Sequence, residues 1–230
     1  TQGFFHGVSD ARGRVEAALA WLRRPRQGPF FAWLHLYDVH APHVAPAPYA
    51  QRFAADPYDG EVAYVDSQVA RLLRGLASLG LERDTLVVLT ADHGEGLGEH
   101  GEETHGILLH DATLRVPLIL RLPGRLEPGQ VATRDVALAD VTPTVLELCG
   151  LPPNPRSHGT SLLRDAPAGA PRALWAASDY PARPFGWLPW ALGGAGLVLL
   201  ALVWTRYRRD TPAPVEQPAS EPVEPPAEPA

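Results

Sequence analysis

The chain has 230 residues, a net charge of −6 and one cysteine, Cys149. This length allows one medium-sized domain with appended segments, and the acidic balance gives no electrostatic reason to expect nucleic acid as a partner. A single cysteine excludes a disulfide within the chain. The chain also contains neither methionine nor lysine, so all of its basic side chains apart from histidine are arginines.

Residues 1–165 alternate between helical and strand-like hydrophobic patterns. Strands separated by helices predict an α/β fold with a parallel or mixed sheet covered on both faces. Three or four strands are few for such a sheet, so we expect a fold that is incomplete at its N-terminal side. The predicted elements, in chain order, are a helix at 15–22, a strand at 30–37, a helix at 61–79, strands at 85–91 and 116–120, a helix at 141–148 and a last strand at 172–177.

The C-terminal part divides into three further segments. Residues 166–184 are rich in proline and alanine and predict a connector. Residues 185–205 carry no charge and have three tryptophans near their ends, which predicts a transmembrane helix, with a buried core helix as the alternative. The arginines that follow favour a cytoplasmic C-terminus. Residues 206–230 are dense in proline and glutamate and predict a disordered tail.

Polar side chains follow the predicted strand at 85–91, in the tetrapeptide Asp92-His93-Gly94-Glu95. In open α/β sheets, ligands bind just beyond the carboxyl ends of the strands. A carboxylate and a neutral imidazole side by side at such an edge can share one divalent metal ion. The alternative interpretation of this tetrapeptide is a solvated turn without a ligand.

Two further histidines belong to similar clusters. His40 lies in a polar segment directly after the predicted strand at 30–37, which indicates that it reaches the same edge of the sheet as Asp92. His105 lies in a segment rich in glutamate, histidine and glycine, and the glycines allow the backbone to approach a site closely. Together these clusters predict one polar site at the carboxyl edge of the sheet.

Five motifs occur in order between about residue 15 and residue 165: Asp-x-His-x-Pro-His at 38–43, Gly-Glu-Val-Ala-Tyr-Val-Asp at 60–66, Thr-Ala-Asp-His-Gly-Glu at 90–95, Thr-His-Gly at 104–106 and Leu-Arg-Val-Pro-Leu-Ile at 114–119. In this order they resemble the C-terminal half of the catalytic domain of sulfatases in the alkaline phosphatase superfamily. The resemblance implies a partial alkaline-phosphatase-like three-layer α/β/α sandwich that lacks its N-terminal half, followed by one transmembrane helix.

The resemblance also implies roles for four residues. Asp92 and His93 would be ligands of a divalent cation, with Ca²⁺ as the usual metal of the family and Mg²⁺, Mn²⁺ or Zn²⁺ as alternatives. His40 would contact the sulfate and protonate the leaving oxygen. His105 stands where the family often has a lysine that binds the sulfate oxygens, a residue type that this chain lacks. An imidazolium at that position would do similar electrostatic work.

The nucleophile of the family is a formylglycine, made from Cys or Ser in a Cys/Ser-x-Pro-x-Arg motif. This chain does not contain that motif. We therefore expect the nucleophile and the remaining metal ligands in sequence upstream of Thr1. Because a nucleophile and a metal act as a unit, we also expect the chain alone not to turn over sulfate esters.

Three functions stay open from the sequence. The first is a membrane-tethered part of a sulfatase that acts on a sulfated small molecule or glycan, with its catalytic domain outside the cytoplasm. The second is a phosphatase, phosphodiesterase or phosphoethanolamine-type transferase of the same superfamily. The third is a non-catalytic membrane protein with a degenerate hydrolase domain, against which the presence of all four candidate site residues argues.

Overall fold

The computed structural model describes residues 2–5, 10–164, 172–176 and 198–204. Its strands are β1 (Gln2–Phe5), β2 (Phe30–Leu36), β3 (Thr85–Thr90), β4 (Leu118–Arg121) and β5 (Val198–Trp204). Its α-helices are α1 (Ala11–Leu22), α2 (Tyr49–Arg52), α3 (Pro57–Ser78), α4 (Asp111–Leu114) and α5 (Val141–Leu148). Short 3₁₀ turns cover Glu82–Asp84, Glu99–Gly101 and Leu138–Asp140.

The strands form one mixed sheet in the order β1-β2-β5-β3-β4. β1 and β2 are parallel, whereas β5 runs antiparallel to both β2 and β3, and β3 runs antiparallel to β4. Because β2 and β3 are each antiparallel to β5, they are parallel to one another. Their carboxyl ends, and the polar loops that follow them, therefore lie at the same edge of the sheet.

Helices cover both faces of this sheet. On one face, α1 and α3 pack against β2, whose alternate residues from Phe30 to Leu36 are buried. β3 contributes to both faces, as the two-residue period of a strand requires. Val87 belongs to the core under α1 and α3, whereas Leu86 and Val88 belong to a second core with Leu148 of α5. The described part of the chain is thus an α/β fold with a helix layer on each side of a mixed sheet.

Most predicted elements are present with shifts of a few residues, and α5 has the predicted bounds. α3 begins four residues earlier than predicted because the Asp56 side chain caps it, accepting a hydrogen bond from the Asp59 amide at 3.2 Å, and because proline suits a first helical turn. β4 begins two residues later than predicted. β1 and the short α2 were not predicted, since neither shows a clear hydrophobic period.

The prediction of a last strand at 172–177 is wrong for its described part. Residues 172–176 have irregular backbone. Arg172 instead fixes this segment through its side chain, because both terminal guanidinium nitrogens donate hydrogen bonds to the Asp140 carboxylate, one of them at 2.8 Å. The segment is therefore attached near the start of α5 by a side-chain ion pair and not by strand pairing.

The prediction of a transmembrane helix at 185–205 is wrong for residues 198–204, which form β5 in the middle of the sheet. A short run of uncharged apolar residues suits a central strand as well as a helix, and hydrophobic period alone does not separate the two. Residues 185–197 and Thr205 lie outside the described residues. Among the described helices, none is both long and apolar enough to span a membrane. The tail predicted at 206–230 also lies outside the described residues.

Asp140 ties the start of α5 to two distant segments. Its side chain is fully buried and accepts hydrogen bonds from the amides of Ala137 at 2.9 Å and Thr160 at 2.8 Å, in addition to those from Arg172. Burial acts to raise the pKa of Asp140, but the hydrogen bonds and the charge of Arg172 outweigh it and lower the pKa. The ionised carboxylate is thus a structural group of this region.

We expect Asp140→Ala to lower the free energy of unfolding by about 3 kcal/mol, since it leaves buried amides and a guanidinium without their acceptor. Asp135→Ala, which removes an exposed carboxylate nearby, is the matched control. The folded-state pKa is lowered, so this stabilisation is present above the unfolded-state pKa of about 4 and disappears as the pH falls through the folded-state value. Urea unfolding at several pH values measures both effects, and equal losses for the two variants would contradict this role.

Candidate active site

Two loops meet at the carboxyl edge of the sheet. The loop after β2 carries His40, and the loop after β3 carries Asp92 and His93. A third segment brings His105 between them: its ring is stacked on that of His93 with centroids 3.9 Å apart, and the ring of His40 stands edge-on to it at 5.5 Å. The structure thus brings the three predicted histidines together, with Asp92 adjacent to His93.

Asp92 and His93 have a geometry that suits two ligands of one cation. The His93 ring donates from Nδ1 to the Gly94 carbonyl at 2.7 Å in the tautomer that leaves the Nε2 lone pair free. This Nε2 lies 3.7 Å from Oδ1 of Asp92. Donor atoms at about this separation fit one divalent ion, whose metal–ligand distances are about 2.0–2.6 Å. In the residues that the structure describes, no group of three or more potential ligands is arranged around a metal position.

His105 is held by a buried carboxylate. Its Nδ1 lies 2.9 Å from Oε1 of Glu95, whose side chain is only 4% exposed. The hydrogen bond to Glu95 raises the pKa of His105 against the opposing effect of burial. Burial also acts to raise the pKa of Glu95, but the hydrogen bond from His105 and the charges of His105, His43 and His93 outweigh it and lower the pKa. The pair therefore favours an imidazolium next to a carboxylate.

His40 has its ring held on two sides and one ring nitrogen free to act. The ring is stacked on Tyr37 with centroids 4.6 Å apart, and Nδ1 lies 2.5 Å from the Ala41 carbonyl oxygen. Nε2 is buried and makes no hydrogen bond to any residue that the structure describes. A buried polar atom of this kind is costly unless a partner binds it. Because Nδ1 donates to the Ala41 carbonyl, the imidazolium form of the ring is the form in which Nε2, next to His105, can donate a proton to a bound oxyanion or leaving oxygen.

Close backbone contacts hold the loop after β3. The Gly94 amide donates to the Thr113 carbonyl at 2.8 Å, and the Gly96 amide donates to the Thr104 carbonyl at 3.1 Å. A Cβ at Gly94 would collide with the carbonyl oxygen of Ala112. Glycine is required here because the backbone of α4 lies directly against the turn that carries Asp92 and His93.

We therefore expect Gly94→Ala to weaken divalent-metal binding at least tenfold, because the turn must move away from its neighbour and carries His93 with it. Calorimetric titration of the protein with the metal measures this affinity. A near-normal melting temperature together with weakened binding would identify a local distortion of the turn. Unchanged metal affinity would contradict the role given to this turn.

The sequence interpretation assigned no role to two buried glutamates that pair with histidines here. Glu95 stands two residues after His93 and pairs with His105, and Glu61 of α3 pairs with His43. Both glutamates are within the motifs on which the resemblance rests. The pairing of Glu61 could have been predicted from the sequence, because a carboxylate on the otherwise apolar face of an amphipathic helix needs a partner. The pairing of Glu95 could not have been predicted in this way, because its partner is determined only by how the loop folds.

A third buried glutamate shapes the segment that carries His105. Glu102 is 6% exposed and accepts hydrogen bonds from the amides of Ile107 at 2.9 Å and Leu108 at 3.1 Å. The Gly98 amide in turn donates to the carbonyl oxygen of Glu102 at 3.0 Å. These bonds close the loop on both sides of His105 and so fix the direction from which its ring enters the site.

Comparison with known proteins identifies the family of the chain. A sequence model of the family described as Sulfatase matches residues 3–151. Steryl-sulfatase from Mus musculus is 40% identical over an alignment of 147 residues, covering 59% of this chain and 23% of that protein. Iduronate 2-sulfatase from Homo sapiens is 32% identical over 195 residues, covering 63% of this chain and 35% of that protein. Endo-4-O-sulfatase from Bacteroides thetaiotaomicron is 32% identical over 94 residues, covering 41% and 18% respectively.

The family-model match covers most of the α/β part of the chain, including the loops after β2 and β3 and the segment with His105. The chain spans between about a fifth and about a third of the length of these relatives. The match of the family model over more than half of the chain is decisive for its classification: the chain belongs to the sulfatase family.

Proposed function

We propose that the chain contributes the metal-ligand and acid–base part of a site that hydrolyses sulfate esters. The observation that carries this proposal is the contact of His105 with both His40 and His93, beside Asp92, at the carboxyl edge of the sheet. The sulfatase family and its relatives supply the reaction class. The geometry supplies side chains of the chemical types that this reaction needs.

The two histidines His105 and His40 have different roles, which follow from their hydrogen bonds and protonation. The Glu95-paired imidazolium of His105 binds the negative oxygens of the sulfate group, in place of the lysine that is absent from the chain. His40, in its imidazolium form, presents Nε2–H to the ester and protonates the leaving oxygen, which leaves the ring neutral. The ring contact between the two histidines places an anion-binding group and an acid next to one another.

Asp92 and His93 would hold the divalent cation. When bound, this cation acts as a Lewis acid on the sulfate oxygens. The hydrogen bond from His93 Nδ1 to the Gly94 carbonyl supports this assignment, because it orients the ring and keeps Nε2 available as a ligand atom. We propose Ca²⁺ as the metal, since hard carboxylate oxygens suit it.

Formylglycine does not fit the residues of this chain. None of its 230 residues stands in a Cys/Ser-x-Pro-x-Arg motif, and Cys149 packs beside the core of α5 and β3 instead of at the site. Burial raises the pKa of the Cys149 thiol, which also opposes a nucleophilic role. We propose that the nucleophile belongs to another part of the full-length protein, so that the 230-residue chain alone does not turn over sulfate esters.

The substrate is proposed to be a sulfated small molecule or glycan. The names of the relatives above include a steryl, an iduronate and an endo-acting sulfatase, and they do not decide between these classes for this chain. The position outside the cytoplasm also stays a prediction. A tether through a helix at 185–205 is not proposed, because residues 198–204 form β5. The domain bounds at 165, 184 and 205 stay predictions.

A paired assay on the full-length protein tests the proposed function. A chromogenic aryl sulfate and the matching aryl phosphate are supplied with Ca²⁺, and phenol release is followed for each. We expect hydrolysis of the sulfate to exceed that of the phosphate, and we expect chelation of the metal to stop it. Preferred turnover of the phosphate would instead favour the phosphatase alternative, and no turnover of either ester would favour a non-catalytic role.

A further inference from the structure

The ring of His40 needs an external contact in order to point in one direction. The torsion that rotates a histidine ring about its last bond has a broad energy minimum, so the side chain alone does not set it. The hydrogen bond between Nδ1 and the Ala41 carbonyl oxygen joins two neighbouring residues of one loop, so both groups move together when the loop moves. A fixed direction for Nε2 therefore requires contact with a group that is anchored outside this loop.

Tyr37 supplies such a contact. Its ring is stacked on the His40 ring, with the centroids 4.6 Å apart and an angle of only 17° between the ring planes. Two nearly parallel rings at this distance leave the imidazole little freedom to rotate, because turning it would drive its edge into the phenol ring. An aliphatic side chain at position 37 would have no flat face and would not restrict the imidazole in this way.

Tyr37 is itself anchored to the sheet. It directly follows β2, whose last residue, Leu36, is fully buried in the core. The next residue, Asp38, accepts a hydrogen bond at Oδ1 from the Ala11 amide at the start of α1, at 3.0 Å. The backbone is thus held on both sides of Tyr37, and the Tyr37 ring lies beside that of His35 in β2, with centroids 6.2 Å apart. The stack therefore ties the direction of the catalytic imidazole to the position of the sheet.

The direction of the His40 ring matters because of where its free nitrogen lies. The ring stands edge-on to that of His105 at 5.5 Å, and its buried Nε2 is the atom assigned to proton donation. Rotation of the ring would carry Nε2 away from the ester even if the ring stayed in place. A displacement of about 1 Å at a reacting group can slow a reaction about a hundredfold.

We propose that Tyr37 is a positioning residue for this reaction: its ring face holds His40 in the direction from which Nε2–H protonates the leaving oxygen. The inference rests on the proposed function, because it assigns a role to Tyr37 only through His40. The Tyr37 side chain is 38% exposed, so it is not a core residue whose loss would unfold the chain.

Tyr37→Leu in the full-length protein, assayed on two substrates, tests this inference. We expect kcat for an alkyl sulfate to fall at least about tenfold with little change in KM, because proton transfer is impaired and substrate binding is not. The kcat for a nitrophenyl sulfate should change less than about twofold, since that leaving group departs without needing a proton. Tyr37→Phe keeps the ring face and should retain most of the rate on both substrates. Trp33→Leu, which removes a partly exposed aromatic side chain from β2, is the matched control and should change neither rate.

Two further measurements separate positioning from general support of the fold. In NMR spectra, the ring signals of His40 should carry an upfield shift from the stacked phenol ring, which Tyr37→Phe keeps and Tyr37→Leu removes. In a double-mutant cycle, Tyr37→Leu should have no further effect on either rate once His40 is replaced by alanine, whereas independent effects would add.

The possible outcomes distinguish this inference from the proposed function. Equal losses on the two substrates in Tyr37→Leu, additive losses in the cycle, or a His40 signal that ignores the loss of the ring would overturn the inference and leave the proposed function intact. The same holds if Tyr37→Leu keeps its full rate on the alkyl sulfate while His40→Ala loses it. Alkyl sulfate hydrolysis that neither variant slows would overturn the inference together with the role given to His40.

Discussion

Asp92→Ala in the full-length protein is expected to lower kcat for an aryl sulfate about a thousandfold. Asp92 supplies the carboxylate of the pair whose Oδ1 and Nε2 atoms lie 3.7 Å apart. Without Asp92, only His93 of this pair remains to bind the metal ion. The same variant should bind the divalent metal at least tenfold more weakly, so both quantities are to be measured on the same preparation.

Glu103→Ala is the matched control for this prediction. Glu103 is an exposed carboxylate on the segment that carries His105, and its removal changes the local charge by the same amount. We expect its kcat and metal affinity to stay near those of the unaltered protein. If Asp92→Ala retained full activity at ordinary metal concentrations, or if both variants lost activity equally, Asp92 would not be a metal ligand.

His40→Ala is expected to lower kcat for an alkyl sulfate by about two to four orders of magnitude, the usual contribution of a positioned general acid. The loss should be much smaller for a nitrophenyl sulfate, because that leaving group departs without needing a proton. The buried Nε2 of His40 is the atom assigned to this proton transfer. The measured quantity is the ratio of kcat values for the two substrates in each protein.

His158→Ala, which removes an exposed histidine outside the site, is the control and should change neither rate. A His40→Ala variant that loses the same factor on both substrates would show that His40 binds or orients the ester without protonating the leaving oxygen. A variant that loses nothing on either would remove His40 from the site.

Much of the fold was predictable because its core elements have clear hydrophobic periods. β3 and α5 lie close to their predicted bounds since Leu86, Val87, Val88 and Leu148 are core residues with strand or helical spacing. The C-terminal apolar segment was not predictable in this way. A run such as 198–204, apolar on every side, has no period that separates a buried strand from a helix, and the pairing partners of β5 are more than a hundred residues away in β2 and β3.

The candidate site was likewise predictable from the sequence only in part. The positions of His40, Asp92 and His93 after strands were visible in the sequence, because parallel strands bring their carboxyl-end loops together. The pairing of Glu95 with His105 was not, since it depends on how the loop folds back through the contacts of Gly96 and Glu102. Loop conformations are set by such individual contacts and not by a repeating pattern, so the sequence alone does not reveal them.

A crystal structure of the full-length protein grown with Ca²⁺ and inorganic sulfate tests the central claim most directly. The account predicts a cation bonded to the Asp92 carboxylate and to Nε2 of His93. It also predicts sulfate oxygens within hydrogen-bonding distance of Nε2 of His40 and of the His105 ring. A cation bound away from Asp92 and His93, with sulfate out of reach of both histidines, would contradict it.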